Sequence, residues 1–261
     1  MHMIFMPIAR LNRTVFHLSG EEVESWLAGL LTNSLDREIN FAALLTPQGK
    51  IIADMFVHKT ADGFFLETPT KFAAELHKRL KLYRLRAPIE ITATEKHVYA
   101  IWDQDEQDGV EDPRLPALGR RNISDEEIAS DGDYNAHRLS LGVPDSEWDF
   151  ESSARFPADV NMDLLNGVNF SKGCFVGQEV VSRMKRMTTV RKRLRGIVLS
   201  DTAQAGDIIR AGEKKIGEVL HIHGTMGMAL IRIDHFKNAA VDPTLNDTPV
   251  EIMNSVDGLD H

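Results

Sequence analysis

The chain has 261 residues, 43% of them apolar and 26% charged, with a formal net charge of −9. These proportions fit a globular protein and exclude a disordered or fibrous one; at roughly 100–200 residues per domain, the length allows one large domain or two modest ones. One cysteine, Cys174, excludes an intramolecular disulfide, CxxC redox chemistry and any Cys-rich zinc or iron–sulfur cage held by a single chain. No apolar run approaches the ~18–20 residues that span a bilayer. The start, Met1 to Pro7, lacks the basic region and small-residue cleavage site of a signal peptide. A cytoplasmic protein without a membrane partner is therefore expected. The charge is sorted into patches: residues 183–195 carry seven bases and no acid, residues 103–112 six acids, and residues 71–86 six bases against Glu75.

Along the chain, residues 15–18 predict a strand. Ser19 and Gly20 stand where a helix cap belongs, ahead of the helical spacing Val23, Trp26, Leu27, Leu30, Leu31. Residues 42–45, the turn Thr46-Pro47-Gln48-Gly49 and residues 51–57 read as strand, turn, strand, and residues 64–67 as a further strand. Thr70 is placed to cap a helix with Phe72, Leu76, Leu80 and Tyr83 on one face and bases on the other. Residues 89–92 and 98–102 return to strand character. The acidic run 103–121, with its Gly and Pro residues, reads as a surface loop, and residues 134–139 as a helix ended by Gly142 and Pro144. From Arg193 onward short β-rich runs alternate with turn residues and no helical pattern appears. The expected fold is α+β over residues 1–189, followed by an all-β barrel or sandwich over residues 190–261, with the boundary near Thr189.

The segment densest in chemistry is Lys172-Gly173-Cys174-Phe175-Val176-Gly177-Gln178-Glu179. The helical stripe Val180, Val181, Met184, Met187 follows it, so Cys174 falls just before a helix start and two residues after a lysine. Both neighbours favour a thiolate, and the glycines permit close approach of a ligand to the backbone. A lone cysteine is otherwise a small core residue. Phosphate-loop, dinucleotide and GxSxG fingerprints are absent. His221 and His223 sit two apart on an expected strand, a spacing open to a metal pair but more simply a surface pair, so no metal site is assigned. The bases of residues 183–195 suit an exposed helix and linker, or the polyanionic tail of a ligand, without implying stable nucleic-acid binding. Trp26, Trp102 and Trp148 read as core or cavity wall.

Residues 172–179 resemble the K-G-C-[FY]-x-G-Q-E signature of the YgfZ-type folate-binding proteins, bacterial relatives of the mitochondrial Iba57/Caf17 iron–sulfur assembly factors. Three further segments support the likeness: Trp26-Leu27-Ala28-Gly29-Leu30-Leu31-Thr32-Asn33, Leu45-Thr46-Pro47-Gln48-Gly49-Lys50, and Arg138-Leu139-Ser140-Leu141-Gly142-Val143-Pro144. The resemblance implies a folate-binding domain like that of the glycine-cleavage T-protein, followed by a small β-barrel. It also implies a part in assembly or repair of [4Fe–4S] proteins, with indirect effects on tRNA modification. Tetrahydrofolate or a derivative would bind in the central cavity, with iron–sulfur client or assembly proteins as partners; a monomer is expected. The functional pair of the family maps onto Lys172 and Cys174. Asp54, Asn33, Arg138 and Glu179 are candidates for folate contacts or for orienting the loop. The alternative is a tetrahydrofolate-dependent aminomethyltransferase of T-protein type. Gly49-Lys50-Ile51-Ile52-Ala53-Asp54 resembles that enzyme's G-x-I-I-x-D run. Against it stand Cys174, where the transferase has an acid, and the lack of its Y-T-G-E segment.

Overall fold

A computed structural model describes residues 7–103, 108–187 and 190–253. In chain order, strands β1 (Ile8–Leu11) and β2 (Arg13–Ser19) precede helix α1 (Val23–Leu30). The hairpin of β3 (Ile39–Leu45) and β4 (Ile51–Lys59) follows, then β5 (Gly63–Pro69) and helix α2 (Thr70–Arg84). Four strands come next: β6 (Glu90–Ala93), β7 (His97–Ile101), β8 (Val110–Glu111) and β9 (Arg120–Ser124). Helices α3 (Tyr134–Ser140) and α4 (Gln178–Met187) lead to β10 (Lys192–Leu199), β11 (Ile208–Ala211), β12 (Lys214–His223) and β13 (Met226–Arg232). The short helix α5 (Ile233–Lys237), β14 (Thr244–Leu245) and β15 (Thr248–Ile252) complete the described chain. The strands form a five-stranded sheet β3-β4-β5-β2-β6, a four-stranded sheet β1-β7-β9-β8 and a closed barrel β10-β13-β12-β11-β14-β15.

The hairpin β3–β4 is the centre of the molecule. It reads as nearly continuous apolar sequence because both of its faces are buried. Ala42, Leu44, Met55 and Val57 pack beneath α1 and α2 with Leu27, Leu76 and Leu80. On the other face Phe41, Leu45, Ile51 and Phe56 meet Phe175 and Val181, together with Leu194 and Met228 of the barrel. The barrel's own interior is Ile197, Ile209, Ile216, Val219, Ile231 and Val250. Closure leaves that sheet no free edge.

Several expectations need correction. Residues 103–121 are more than a loop: β8 and β9 pair there, and Arg121 lies buried on a strand because interior carboxylates accept its charge. Strand β1, unmarked in the sequence, pairs with β7. The C-terminal barrel is closed as expected, with the five-residue helix α5, unforeseen, in the connection between β13 and β14. Helix α1 begins at Val23 without a side-chain cap, and α2 begins at Thr70 itself, with Pro69 in the cap position. Residues 1–6 and 104–107, and Thr189 where the domain boundary is expected, lie outside the described residues.

Candidate functional site

Three of the sequence segments singled out above meet at one place. The carbonyl of Thr32 accepts the Asn169 amide at 3.0 Å, and the Thr32 hydroxyl donates to the Gly167 carbonyl at 2.7 Å, which ties the incoming arm of the cysteine loop to the end of α1. The Asn169 side chain then accepts the amides of Ser171 (2.8 Å) and Lys172 (3.1 Å), an Asx turn that sets the loop's direction. On the outgoing arm Gly177 adopts φ +80, and a Cβ there would lie 2.7 Å from the Thr46 carbonyl and 3.1 Å from the Gly49 Cα. The β3–β4 turn and the start of α4 touch backbone to backbone, a contact only glycine permits on both counts.

Between these anchors Cys174 is exposed and its thiol is free. Phe175, next in sequence, is buried. Cys174 lies four residues ahead of Gln178, the first residue of α4, and so stands off from the helix end rather than at it. Lys172 is held by the end of α1: its ammonium donates to the Leu31 carbonyl at 2.6 Å and to that of Ala28, and rests 5.1 Å from the Phe175 ring centroid. Burial drives its pKa down to about 8. Glu179 is exposed in the first turn of α4, where a carboxylate suits the helix dipole.

Asp54 and Arg138 are interior residues. Asp54 is 4% exposed; the Ser146 hydroxyl donates to it, and burial pushes its carboxyl pKa up against the pull of Arg13. Around it runs an ion-pair network. Arg13 Nη2 donates to both Asp145 carboxylate oxygens (2.9 and 2.8 Å), Arg114 holds Asp112 (2.8 Å) and the Tyr134 hydroxyl (2.6 Å), and Arg121 holds Glu67. Burial opposes ionisation of Glu67, yet Arg121 beside it keeps the carboxyl far below the ordinary range. The Phe56 ring carries guanidinium carbons at 3.8 Å (Arg121) and 4.8 Å (Arg114). Arg138 pairs with Asp149 at 2.6 and 3.1 Å above the Trp148 ring. A ligand could reach either residue only by displacing these partners.

Asn33 does border open space. It lines a cavity of about 280 Å³ together with Arg37, Phe41, Asn169, Phe170 and Lys185. Its side-chain amide donates to the Phe41 and Asn166 carbonyls, and the Lys185 ammonium sits 3.6 Å from the Phe170 ring centroid. His221 and His223 have separate partners on or beside α3: His221 Nε2 lies 2.8 Å from Asn135 Nδ2, and His223 Nε2 lies 2.6 Å from an Asp133 oxygen. Among the described residues no cluster of three His, Cys, Asp or Glu side chains is arranged to hold a metal ion. Arg193, from the basic run, is paired with Asp163. Sequence reasoning missed Thr32, Asn169 and the Arg121–Glu67 pair; only Asn169, two residues before Ser171, carried a local signal.

Residues 191–254 match the CAF17 C-terminal beta-barrel domain. The chain is 30% identical over 238 residues to the mitochondrial iron–sulfur cluster assembly factor IBA57 homolog of Neurospora crassa, an alignment covering 76% of this chain and 54% of that protein. It is 27% identical over 274 residues to human mitochondrial IBA57, covering 87% and 77%. The chain thus spans about half the length of the fungal relatives it matches. Among solved structures, the glycine cleavage system aminomethyltransferase T from Bartonella henselae superposes with a TM-score of 0.74 at 13% identity, covering 95% of this chain and 85% of that one. The fold is therefore that of the glycine-cleavage T-protein class, with the closed barrel at its C-terminal side. Within that class the chain is an Iba57/Caf17-related protein, to which the YgfZ-type proteins are close relatives. The relatives are named as mitochondrial, so the expectation of a cytoplasmic location does not stand. Cysteine usage reports a reducing compartment and does not say which one.

Proposed function

We propose that this chain is an iron–sulfur cluster assembly factor that meets its cargo through Cys174. The observation that carries this reading is an exposed, free thiol on a loop anchored at both arms, in a chain whose relatives bear that function in their names. A thiolate supplies one iron ligand, and a cluster needs several, so the remainder must come from a partner protein. Transfer or repair at a shared cluster follows from this, rather than storage. Effects on tRNA modification would be indirect, through enzymes that themselves need clusters.

The folate that the resemblance implies finds its best chemical match in the cavity beside the loop. Phe41 and Phe170 can flank a pteridine, amide groups surround it, and Arg37 and Lys185 suit a carboxylate tail. Asp54 and Arg138 take no part in that arrangement, being spent on Ser146 and Asp149. A sealed Asp54 also weighs against the aminomethyltransferase alternative, which needs its acid beside the folate. Bound there, tetrahydrofolate would supply a one-carbon carrier or a reduced pterin next to the loop.

The test replaces the chain in cells with Cys174→Ser and compares the activity of [4Fe–4S] enzymes with that of enzymes lacking clusters. Selective loss of the cluster enzymes, at normal abundance of the variant, is expected. Full activity with Cys174→Ser would overturn the reading. Calorimetric titration of tetrahydrofolate into the wild type, Asn33→Ala and Asp54→Asn examines the cavity separately: binding weakened by the first variant and not by the second is expected.

A further inference from the structure

The end of α2 combines two features that neither the fold nor the proposed function uses. Its inner stripe, Phe72, Ala73, Leu76 and Leu80, is buried. On its outer side Leu82 is 60% exposed, and Leu85, just past the last turn, is 81% exposed; they are two of the three large apolar residues standing so far out among the described residues. Leu85 also closes the helix at φ 50 and ψ −109, a positive-φ backbone outside the left-handed helical well that side chains rarely adopt and glycine tolerates. Backbone strain and an exposed apolar side chain thus fall on one residue, where glycine would remove both. Around the two leucines Lys78, Lys81 and Arg86 are exposed and lack carboxylate partners among the described residues; Arg79, by contrast, is paired with Glu75.

We infer that this helix end is a peripheral docking surface for an anionic lipid bilayer, with Leu82 and Leu85 entering the acyl boundary and Lys78, Lys81 and Arg86 meeting the headgroup charges. A basic helix with leucines at its tip suits that role because its lysine stems lie along apolar surface while their charges stay in water. The chain as a whole is acidic, so net charge gives no general attraction and the patch sets the orientation. No helix of the described residues is long and apolar enough to cross a membrane. A bilayer is favoured over a protein because two side chains at a convex helix end fall far short of the roughly 800 Å² per partner that a stable protein interface buries. A few inserted side chains suffice at a membrane where bases add to the attraction. This inference stands apart from the iron–sulfur reading.

The test floats the purified full chain with vesicles of phosphatidylcholine alone and with about one-third phosphatidylserine, at low and high salt. Binding to the anionic vesicles only, lost at high salt, is expected. Leu82→Ser with Leu85→Gly should lower the partition coefficient at least about tenfold, and Lys78→Glu with Lys81→Glu should abolish flotation. Leu85→Gly alone should raise the thermal midpoint, the mark of a residue kept against stability; a lower midpoint would remove the strain argument and the inference with it. Failure of the wild type to float, or equal flotation by the leucine variants, overturns it. If vesicles fail while the leucine variants impair cluster-dependent enzymes in cells, the surface serves a protein instead.

Discussion

Lys172 donates from its ammonium to the Leu31 carbonyl at 2.6 Å, which places the positive charge at the C-terminal end of α1. That helix has no basic residue in its own last turn. The lysine supplies from a distant segment the cation that carbonyls at a helix end favour. Read from the sequence, Lys172 stands beside Cys174 as an activator of the thiol. In the fold its ammonium is hydrogen-bonded to the end of α1, and Cys174, two residues on, is exposed.

Lys172→Met should therefore loosen the loop while keeping an apolar stem over Phe175. The expected loss is about 1.5–3 kcal/mol of stability, the scale of a hydrogen bond made by a charged group. Amide exchange over residues 170–176 should accelerate, with Cys174 alkylation as fast as in the wild type or faster. Slower alkylation with unchanged exchange would assign the lysine to the thiol instead.

Gly177 and Gly173 lie in the same signature and should behave oppositely. Gly177 adopts a left-handed φ and has the Thr46 carbonyl 2.7 Å from where a Cβ would stand; Gly173 has neither constraint, with nothing within 4 Å. Gly177→Ala should cost about 1–3 kcal/mol in urea unfolding, while Gly173→Ala should stay within about 0.5 kcal/mol. A stability loss at Gly173 would show that the loop is packed more tightly than its open surroundings indicate.

The contrast between these glycines also marks what the sequence can say. The β3–β4 hairpin, α1, α2, α3 and the β-rich tail were legible because their apolar spacing is local. Strand β9 was not, because Arg120 and Arg121 look like surface residues until Glu67 and Asp112 are known to face Arg121. Asp54 looks like an exposed strand carboxylate or a ligand contact, and its burial depends on Ser146, far along the chain. Motif likeness found the cysteine loop, but which carbonyls Lys172 meets is a tertiary fact.

The interior arginines invite a direct test. Glu67 is fully buried, with Arg121 and His58 beside it, so Arg121→Met leaves a carboxylate without its chief counter-charge. A loss of about 3–5 kcal/mol is expected, part of it recovered by adding Glu67→Gln. The exposed pair Arg10–Glu127 serves as the control: Arg10→Met should change stability by less than about 1 kcal/mol. Equal losses at the two arginines would mean that the interior network is hydrated rather than sealed.

His221 couples the barrel to α3 through Asn135, and its titration sets a pH dependence. Burial, with Arg138 and His223 adding repulsion, lowers its pKa to about 4, whereas a histidine in the unfolded chain takes up a proton near about 6.5. Between those values the unfolded state binds more protons than the folded one, so stability rises with pH across the window. The contribution is complete above about 6.5 and is lost as the pH falls through about 4. Urea unfolding at several pH values should thus show a steeper acid decline for the wild type than for His221→Asn, which cannot titrate. Parallel curves for the two proteins would mean that the imidazole at the α3–barrel junction is solvated enough to carry its proton in the folded state.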